Sequence, residues 1–150
     1  MKKTLIATSI KGIAVVLFLF IVLLPAICLG IEAPEAVICA NIQNRQPVNG
    51  AAMFPVDVGR VWCWCKIKDG QGMTIRHIYY HNGNEKAVVE LPIHSQLFRT
   101  YSSKRIVPEN AGQWRVDIVD ANGNILKSLD FSIGEATQPE APLAAEGQPS

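Results

Sequence analysis

Charged and aromatic residues are scarce in this chain, at 18% and 7% of its 150 residues, and the familiar catalytic signatures are missing. No serine lies in a GxSxG context, and no pair of carboxylates stands out on a common predicted face, which argues against serine hydrolases and glycosidases. Even the most basic stretch, residues 60–105, holds only eight basic and three acidic residues. This density is too low for a nucleic-acid-binding surface, so we expect neither an enzyme nor a nucleic-acid binder.

The N-terminus has the layout of a secretory signal. Its first eleven residues carry three lysines, and an unbroken apolar run then continues to Pro25. The 19 residues from Gly12 to Gly30 are nearly all apolar, which is also close to the length of a membrane-spanning helix. Residues 1–30 are therefore predicted to be a signal peptide or an uncleaved signal anchor, with membrane association through residues 12–30 in the second case. Both alternatives predict an exported protein, periplasmic or anchored in the inner membrane with its domain outside the cytoplasm.

The rest of the chain reads as short β-rich segments separated by turn residues, without helical periodicity. The predicted strands cover residues 36–42, 60–67, 74–80, 85–93, 97–106 and the two halves of 112–134. About seven strands without intervening helices predict an all-β, antiparallel, immunoglobulin-like β-sandwich over residues 31–134. The tail, residues 135–150, is rich in Ala, Pro, Glu and Gln and is predicted to be disordered.

Turn residues predict how several of these strands connect. Asn82-Gly83 and the Asp120-Ala121-Asn122-Gly123 stretch are both typical of tight β-hairpins. Pro47 and Asn49-Gly50 instead indicate a loop after the first strand. In the last strand, strict alternation places one set of side chains together, namely Ile125, Lys127, Leu129, Phe131 and Ile133.

The cysteines lie in strand-like segments. In VWCWCKI, residues 61–67, a period of two places Cys63 and Cys65 on one face and Trp62 and Trp64 on the other. Two thiols on one strand, about 7 Å apart at their α-carbons, are too distant to bond each other, and a CxC pair is neither a redox nor a zinc motif. In an exported protein, a disulfide between Cys39 and either Cys63 or Cys65 is one interpretation. Buried free thiols are the other.

Three histidines are candidate metal ligands. His77 and His81 share one face of a predicted strand, and His94 follows the next strand. Imidazoles are good zinc or copper ligands. However, no carboxylate is placed to orient them, and His81 already falls at the turn, so we expect no metal site and no cofactor.

The segment FRTYSSKRI, residues 98–106, is the most polar strand-like stretch. One side carries Arg99, Tyr101, Ser103 and Arg105, whereas Lys104 lies on the other. With Trp62, Trp64 and Tyr80, it could form an aromatic and cationic surface suited to sugars or an anionic ligand. The alternative is that the aromatics fill the core while Arg99 and Lys104 extend along neighbouring strands.

Five segments, NRQPV, VGRVWCWCKI, TIRHIYYHNG, FRTYSSKRI and GQWRVDIVDANGNIL, resemble a bacterial family known as domain of unknown function 2914. The resemblance covers Asn44 to about Ile133. It implies an envelope location and a fold but no reaction. Tyr79 stands where the family commonly has Trp, and the Cys65 position is often another residue, so the resemblance implies no shared thiol chemistry.

These observations predict a non-enzymatic β-sandwich module of the cell envelope that contacts a protein or glycan partner. The alternative is a periplasmic binder of a small ligand or metal. The candidate binding residues are His77, Tyr79, Arg99, Tyr101, Ser103 and Lys104.

Overall fold

The computed structural model describes residues 30–134, which form nine β-strands and one turn of 3-10 helix. The strands are β1 (Glu32–Gln43), β2 (Gln46–Gly50), β3 (Met53–Phe54), β4 (Arg60–Lys68), β5 (Thr74–His81), β6 (Asn84–Pro92), β7 (Leu97–Arg105), β8 (Gly112–Val119) and β9 (Ile125–Ile133), and the 3-10 helix is Pro108–Asn110. The predicted signal or anchor and the predicted tail lie outside the described residues. Between residues 30 and 134, no helix has the length and apolar character needed to cross a membrane.

The strands form two sheets, one with the order β2-β1-β4-β7 and the other with the order β3-β9-β8-β5-β6. All pairs are antiparallel except β3 with β9. The order β1-β4-β7 facing β9-β8-β5-β6 is that of an immunoglobulin-like sandwich. The predicted all-β sandwich is therefore confirmed, with β2 and β3 in addition to the seven predicted strands.

The core lies between the sheets and follows the period of two. Inward side chains on the four central strands are almost completely buried: Val61, Cys63, Cys65, Ile67, Ile75, His77, Tyr79, Val116, Ile118, Phe131 and Ile133. Burial of these apolar groups is the main force that holds the sheets together. Two polar side chains, His77 and the phenol of Tyr79, lie in the middle of this layer.

Both predicted hairpins are present. At the β5–β6 turn, Asn82 and Gly83 have φ angles of 48° and 80°, the left-handed conformation that a two-residue hairpin turn requires. At the β8–β9 turn, the Asp120 carboxylate accepts hydrogen bonds from the backbone N–H groups of Asn122 and Asn124, at 2.8 and 2.9 Å. Hydrogen bonds from Asn124 and its neighbours lower the pKa of Asp120, so the turn is ordered by a charged acceptor.

The predicted loop after the first strand was wrong, because residues 46–50 form β2. Asn44 and Arg45, with φ angles of 49° and 61°, make a tight turn from β1 into β2. Pro47 lies opposite Ile42 in this pair. An edge strand tolerates proline because the missing N–H can face away from the neighbouring strand.

The predicted alternation in β9 was wrong at its start. The β8–β9 register shifts, with Ile118 opposite Lys127 but Val119 opposite Ile125, so Leu126 is an extra residue. This bulge leaves Ile125 59% exposed, while Leu126 packs against the core. A single inserted residue thus moves the first side chain of the strand off the predicted face.

Candidate functional site

The structure divides the predicted binding residues between two regions. His77 and Tyr79 extend from β5 into the space between the sheets and are fully buried. Arg99, Tyr101 and Ser103 lie on the opposite, outward side of β7. The remaining candidate, Lys104, lies opposite the buried Val61 and is only partly exposed. One shared site made of His77, Arg99 and Tyr101, as the small-ligand alternative needs, is therefore not formed.

The inner region is a hydrogen-bonded group of four side chains, which we call the interlayer cluster: Cys65, His77, Tyr79 and Ser102. Ser102 Oγ lies 2.7 Å from His77 Nδ1 and 2.7 Å from the Tyr79 hydroxyl. The other ring nitrogen of His77, Nε2, lies 3.4 Å from Cys65 Sγ. Every group is satisfied if Tyr79 donates to Ser102, Ser102 to His77, and His77 to Cys65.

These hydrogen bonds join the two sheets. Cys65 and Ser102 belong to β4 and β7 of one sheet, whereas His77 and Tyr79 belong to β5 of the other. Among residues 30–134, no buried side-chain nitrogen or oxygen lacks a hydrogen-bond partner. A fully satisfied polar network inside a core fixes how the layers are placed against each other.

Burial keeps the interlayer cluster uncharged. Desolvation lowers the pKa of His77 to about 4, and it raises the pKa of Cys65 to about 12. Desolvation also raises the pKa of Tyr79. A catalytic thiol needs a lowered pKa and a basic partner within reach of substrate. The cluster has the opposite properties, since its thiol and imidazole are both neutral and sealed from solvent at physiological pH.

Ser102, the centre of this cluster, is not among the residues that the sequence pattern singles out. It lies directly opposite Cys63 in the β4–β7 register and is 6% exposed. The signal was the alternation within FRTYSSKRI, which places Thr100 and Ser102 on the side opposite Arg99 and Tyr101. The contact between this hydroxyl and His77 depends on how the two sheets stack, and the sequence pattern does not show that stacking.

All three cysteines of the described part, Cys39, Cys63 and Cys65, are buried free thiols. Of the two interpretations left open by the sequence, this is the one without a disulfide. Cys39 pairs with Trp62 and Ile38 pairs with Cys63. Paired residues project from the same face of a sheet, so Cys39 projects outward while Cys63 and Cys65 project inward. A bridge between them would have to cross the backbone of their own sheet.

The outer region is the outward side of β4 and β7, which we call the outer basic face: Arg60, Trp62, Arg99, Tyr101, Ser103 and Arg105. Trp62 and Tyr101 meet edge to face, with ring centroids 5.7 Å apart. The Arg60 guanidinium lies 5.9 Å from the Trp62 ring centroid, and its Nη1 donates to Ser103 Oγ at 2.7 Å. The outer basic face is thus a cross-connected aromatic and cationic surface.

Two aromatics of the predicted surface are not part of it. Trp64 is only 3% exposed, although it points outward, because the β1–β2 turn folds over it. Its indole N–H donates to the Arg45 carbonyl at 2.9 Å, and Arg45 Nη2 donates to the Arg99 carbonyl at 3.1 Å. Tyr80 lies in the other sheet, on β5, where the Arg115 guanidinium is 4.5 Å from its ring centroid.

Charges on the outer basic face are not balanced within residues 30–134. Arg60 lies directly opposite Arg105 in the β4–β7 register. Lys66, which lies opposite Arg99, has a counter-charge in Glu35. Arg60, Arg99 and Arg105 form no ion pair with any described residue. Two like charges facing each other across strands repel, and a bound anion would remove that repulsion.

The three candidate histidines each have different contacts and do not form one site. His77 belongs to the interlayer cluster, His81 stacks on Trp114 with centroids 4.6 Å apart, and His94 contacts the edge of Phe98 at 5.4 Å. Over residues 30–134, no group of three or more His, Cys, Asp or Glu side chains is placed to hold a metal ion.

A shallow pocket of about 410 Å³ lies beside the folded-over β1–β2 hairpin. Its lining includes Glu35, Trp64 and Lys127. Glu35 is already engaged by Lys66, and the Lys127 ammonium lies 3.4 Å from the Pro34 carbonyl. The pocket therefore offers little uncommitted charge with which to select a ligand.

Comparison with known families matches residues 72–133 to the family described as Protein of unknown function (DUF2914). The matched segment contains β5 through β9, and with them His77, Tyr79, Ser102 and Tyr101. Arg60, Trp62 and the cysteines precede it. A comparison with curated proteins found no match. The resemblance inferred from the sequence motifs is confirmed over residues 72–133, where the chain is similar to the DUF2914 family.

Proposed function

We propose that this protein is a non-enzymatic recognition module of the bacterial cell envelope that binds an acidic glycan on its outer basic face. The observation that carries the proposal is the Trp62–Tyr101 pair beside two arginines, Arg60 and Arg105, that face each other without a counter-charge among residues 30–134. The ring of a sugar that bears carboxylates would pack against the two aromatic side chains, and its carboxylates would bind the two arginines.

The chemistry of the two halves is complementary to such a sugar. Aromatic rings offer large apolar faces and edges against which the C–H groups of a sugar ring can pack. A guanidinium is planar and binds a carboxylate through two parallel hydrogen bonds. Arg60 is already held by Trp62 and Ser103, so little side-chain freedom is lost when an anion binds.

The inner region supports a non-catalytic role. The thiol and imidazole with the chemistry of a nucleophile and a base, Cys65 and His77, are buried, neutral and hydrogen-bonded across the sheets. The polar residues exposed on β4 and β7 are suited to binding rather than to proton transfer.

The envelope location rests on the lysine-rich, apolar N-terminus and on the family resemblance. Export would bring the sandwich to the compartment where acidic polysaccharides are exposed. A contact module placed there needs affinity for a repeated, charged polymer, and a surface of arginines around an aromatic pair provides it.

A binding measurement on the full-length protein tests the proposal, with oligogalacturonate as the acidic probe and a neutral oligosaccharide of equal length as its control. We expect the acidic probe to bind and the affinity to fall with added salt. The double variant Arg60→Gln with Arg105→Gln should weaken binding about tenfold or more, since two charge-assisted contacts are lost.

Arg76→Gln is the matched control, because Arg76 lies on β5 of the other sheet. It should leave the affinity unchanged. Equal binding of the acidic and neutral probes, or an equal loss in the double variant and in Arg76→Gln, would refute the role of the outer basic face.

A further inference from the structure

The edge strand β6 has an open side. It is the last strand of its sheet, and it pairs only with β5 within residues 30–134. The Ile93 N–H donates to the Met73 carbonyl at 2.9 Å, just beyond the end of this pair. Because antiparallel pairs alternate, Val89 and Leu91 direct their backbone groups toward β5, while Val88 and Glu90 direct theirs away from it.

Apolar side chains accompany this open backbone. Val88 is 45% exposed at the centre of the strand. Ala87, Val89 and Leu91, on the inner side, are only partly buried where they pack against the rim of the core. An exposed edge of this length with valine at its centre is a ready template for another strand.

The edges of the four-stranded sheet carry devices that discourage strand pairing. On β7, Arg45 already occupies the Arg99 carbonyl. The unpaired part of β1 contains Pro34, and β2 contains Pro47. On β6 the comparable features lie at the ends, with a bulge at Lys86 and proline at residue 92, so the central part around Val88 is left open.

The charges on β6 are self-complementary. If a second copy pairs antiparallel with its Val88 opposite Val88, residues 87–89 form the paired stretch, and at each end of it the Lys86 side chain of one copy, at the bulge, comes beside Glu90 of the other. Val88 and Glu90 have backbone groups that point outward, which is the parity that this register requires. Neither Lys86 nor Glu90 forms an ion pair with a described residue.

We propose that two copies of this protein form a symmetric dimer through antiparallel pairing of their β6 strands, centred on Val88. The pairing joins the two five-stranded sheets into one continuous sheet with a two-fold axis at its centre. It covers Val88 and forms two Lys86–Glu90 pairs. The outer basic face lies on the other sheet of each copy and remains open, so the dimer does not depend on glycan binding.

Charge reversal tests this register. Sedimentation equilibrium of the full-length protein, in density-matched detergent because of its apolar N-terminal segment, should show a monomer–dimer equilibrium. Lys86→Glu or Glu90→Lys alone places like charges beside each other twice, so each should raise the dissociation constant about tenfold or more. The double variant, Lys86→Glu with Glu90→Lys, restores both pairs and should restore the dimer. Unchanged circular dichroism confirms that each variant is folded.

Two outcomes would overturn the proposal. One is a wild-type protein that stays monomeric up to millimolar concentration. The other is a double variant that dimerises no better than the single variants, because the charge pairs would then not be formed across the axis.

Cross-linking locates the axis independently. Val88→Cys should form an intermolecular disulfide under mild oxidation, because residues paired at the axis have α-carbons about 5.5 Å apart. Ile125→Cys is the matched control, since Ile125 is at least as exposed as Val88, at 59% against 45%, but lies at the β8–β9 turn. The unsubstituted protein gives the background from its own cysteines. Val88→Cys that cross-links no more than Ile125→Cys would contradict the pairing.

Discussion

The inner and outer sides of the same two strands, β4 and β7, have opposite properties: the inner side joins His77 and Tyr79 of β5 in the interlayer cluster, and the outer side forms the outer basic face. Ser102 and Ser103 are neighbours in sequence. Ser102 bonds to His77 and Tyr79 inside the sandwich, whereas Ser103 accepts a hydrogen bond from Arg60 at the surface. Because side chains alternate between the two faces of a strand, the polar groups that hold the sheets together lie on the inner face, and those available to a partner lie on the outer face.

The largest effect should come from removing the hydroxyl at the centre of the interlayer cluster. Ser102→Ala leaves His77 Nδ1 without its donor and the Tyr79 O–H without its acceptor in a dry core. Each unsatisfied buried group costs about 1–3 kcal/mol, so the free energy of unfolding should fall by about 4 kcal/mol. Urea denaturation measures this change.

Ser103→Ala is the matched control for Ser102→Ala, since it removes the same group one residue away on the outer face. It should cost less than about 1 kcal/mol, because water can replace the lost hydrogen bond to Arg60. If the two variants lose similar amounts of stability, the inner hydroxyl is no more important for stability than the outer one, which would contradict the geometry.

The second effect is a pH dependence that belongs to the inner region alone. Burial lowers the pKa of His77 to about 4, whereas in the unfolded chain it returns to its ordinary value of 6.5. Between these values the unfolded state binds more protons, so stability must fall as the pH decreases from about 6.5 to about 4. The total loss from this group is about 3 kcal/mol.

Denaturation at several pH values checks the prediction, with His77→Gln compared with His81→Gln. The first variant should lose stability at neutral pH and should lack this part of the pH dependence. His81 is partly exposed against Trp114, and His81→Gln should retain it. A wild-type protein whose stability is constant over this window would contradict the buried neutral state of His77.

Local patterns in the sequence predicted the faces of the central strands but not what covers them. The interleaving of cysteine and tryptophan in β4 placed Cys63 and Cys65 on one face and Trp62 on the other, because a period of two is a property of the strand itself, but it did not say which of the two faces is buried. The burial of Trp64 depends on Arg45, 19 residues away, and the His77–Ser102 bond joins residues 25 apart. Such contacts depend on how the sheets and turns fold over one another. The alternation of side chains along a strand does not predict this packing.

Departures from regular geometry account for the remaining errors. The turn into β2 requires a positive φ at Arg45, a residue type that rarely adopts it, so the sequence indicated a loop instead. The bulge at Leu126 depends on pairing between β8 and β9. In contrast, Asn82-Gly83 was predicted correctly because both residue types readily adopt the required conformation.

The smallest effect should be a gain of stability on the outer basic face. Arg105 lies opposite Arg60 and forms no ion pair with any residue between 30 and 134, so Arg105→Gln removes a repulsion without removing a salt bridge. We expect the free energy of unfolding to rise by about 0.5 kcal/mol at low salt, and the gain to disappear as salt screens the charges.

Arg99→Gln is the control for this gain, because the lysine opposite Arg99 is already neutralised by Glu35. It should change stability by less than Arg105→Gln does, in thermal or chemical denaturation at the same salt concentrations. If Arg105→Gln destabilises the protein instead, the paired arginines do not destabilise the fold, and no repulsion favours an anion at this position. A gain in stability combined with a loss of glycan affinity is the result expected of a surface that keeps unfavourable charge for binding.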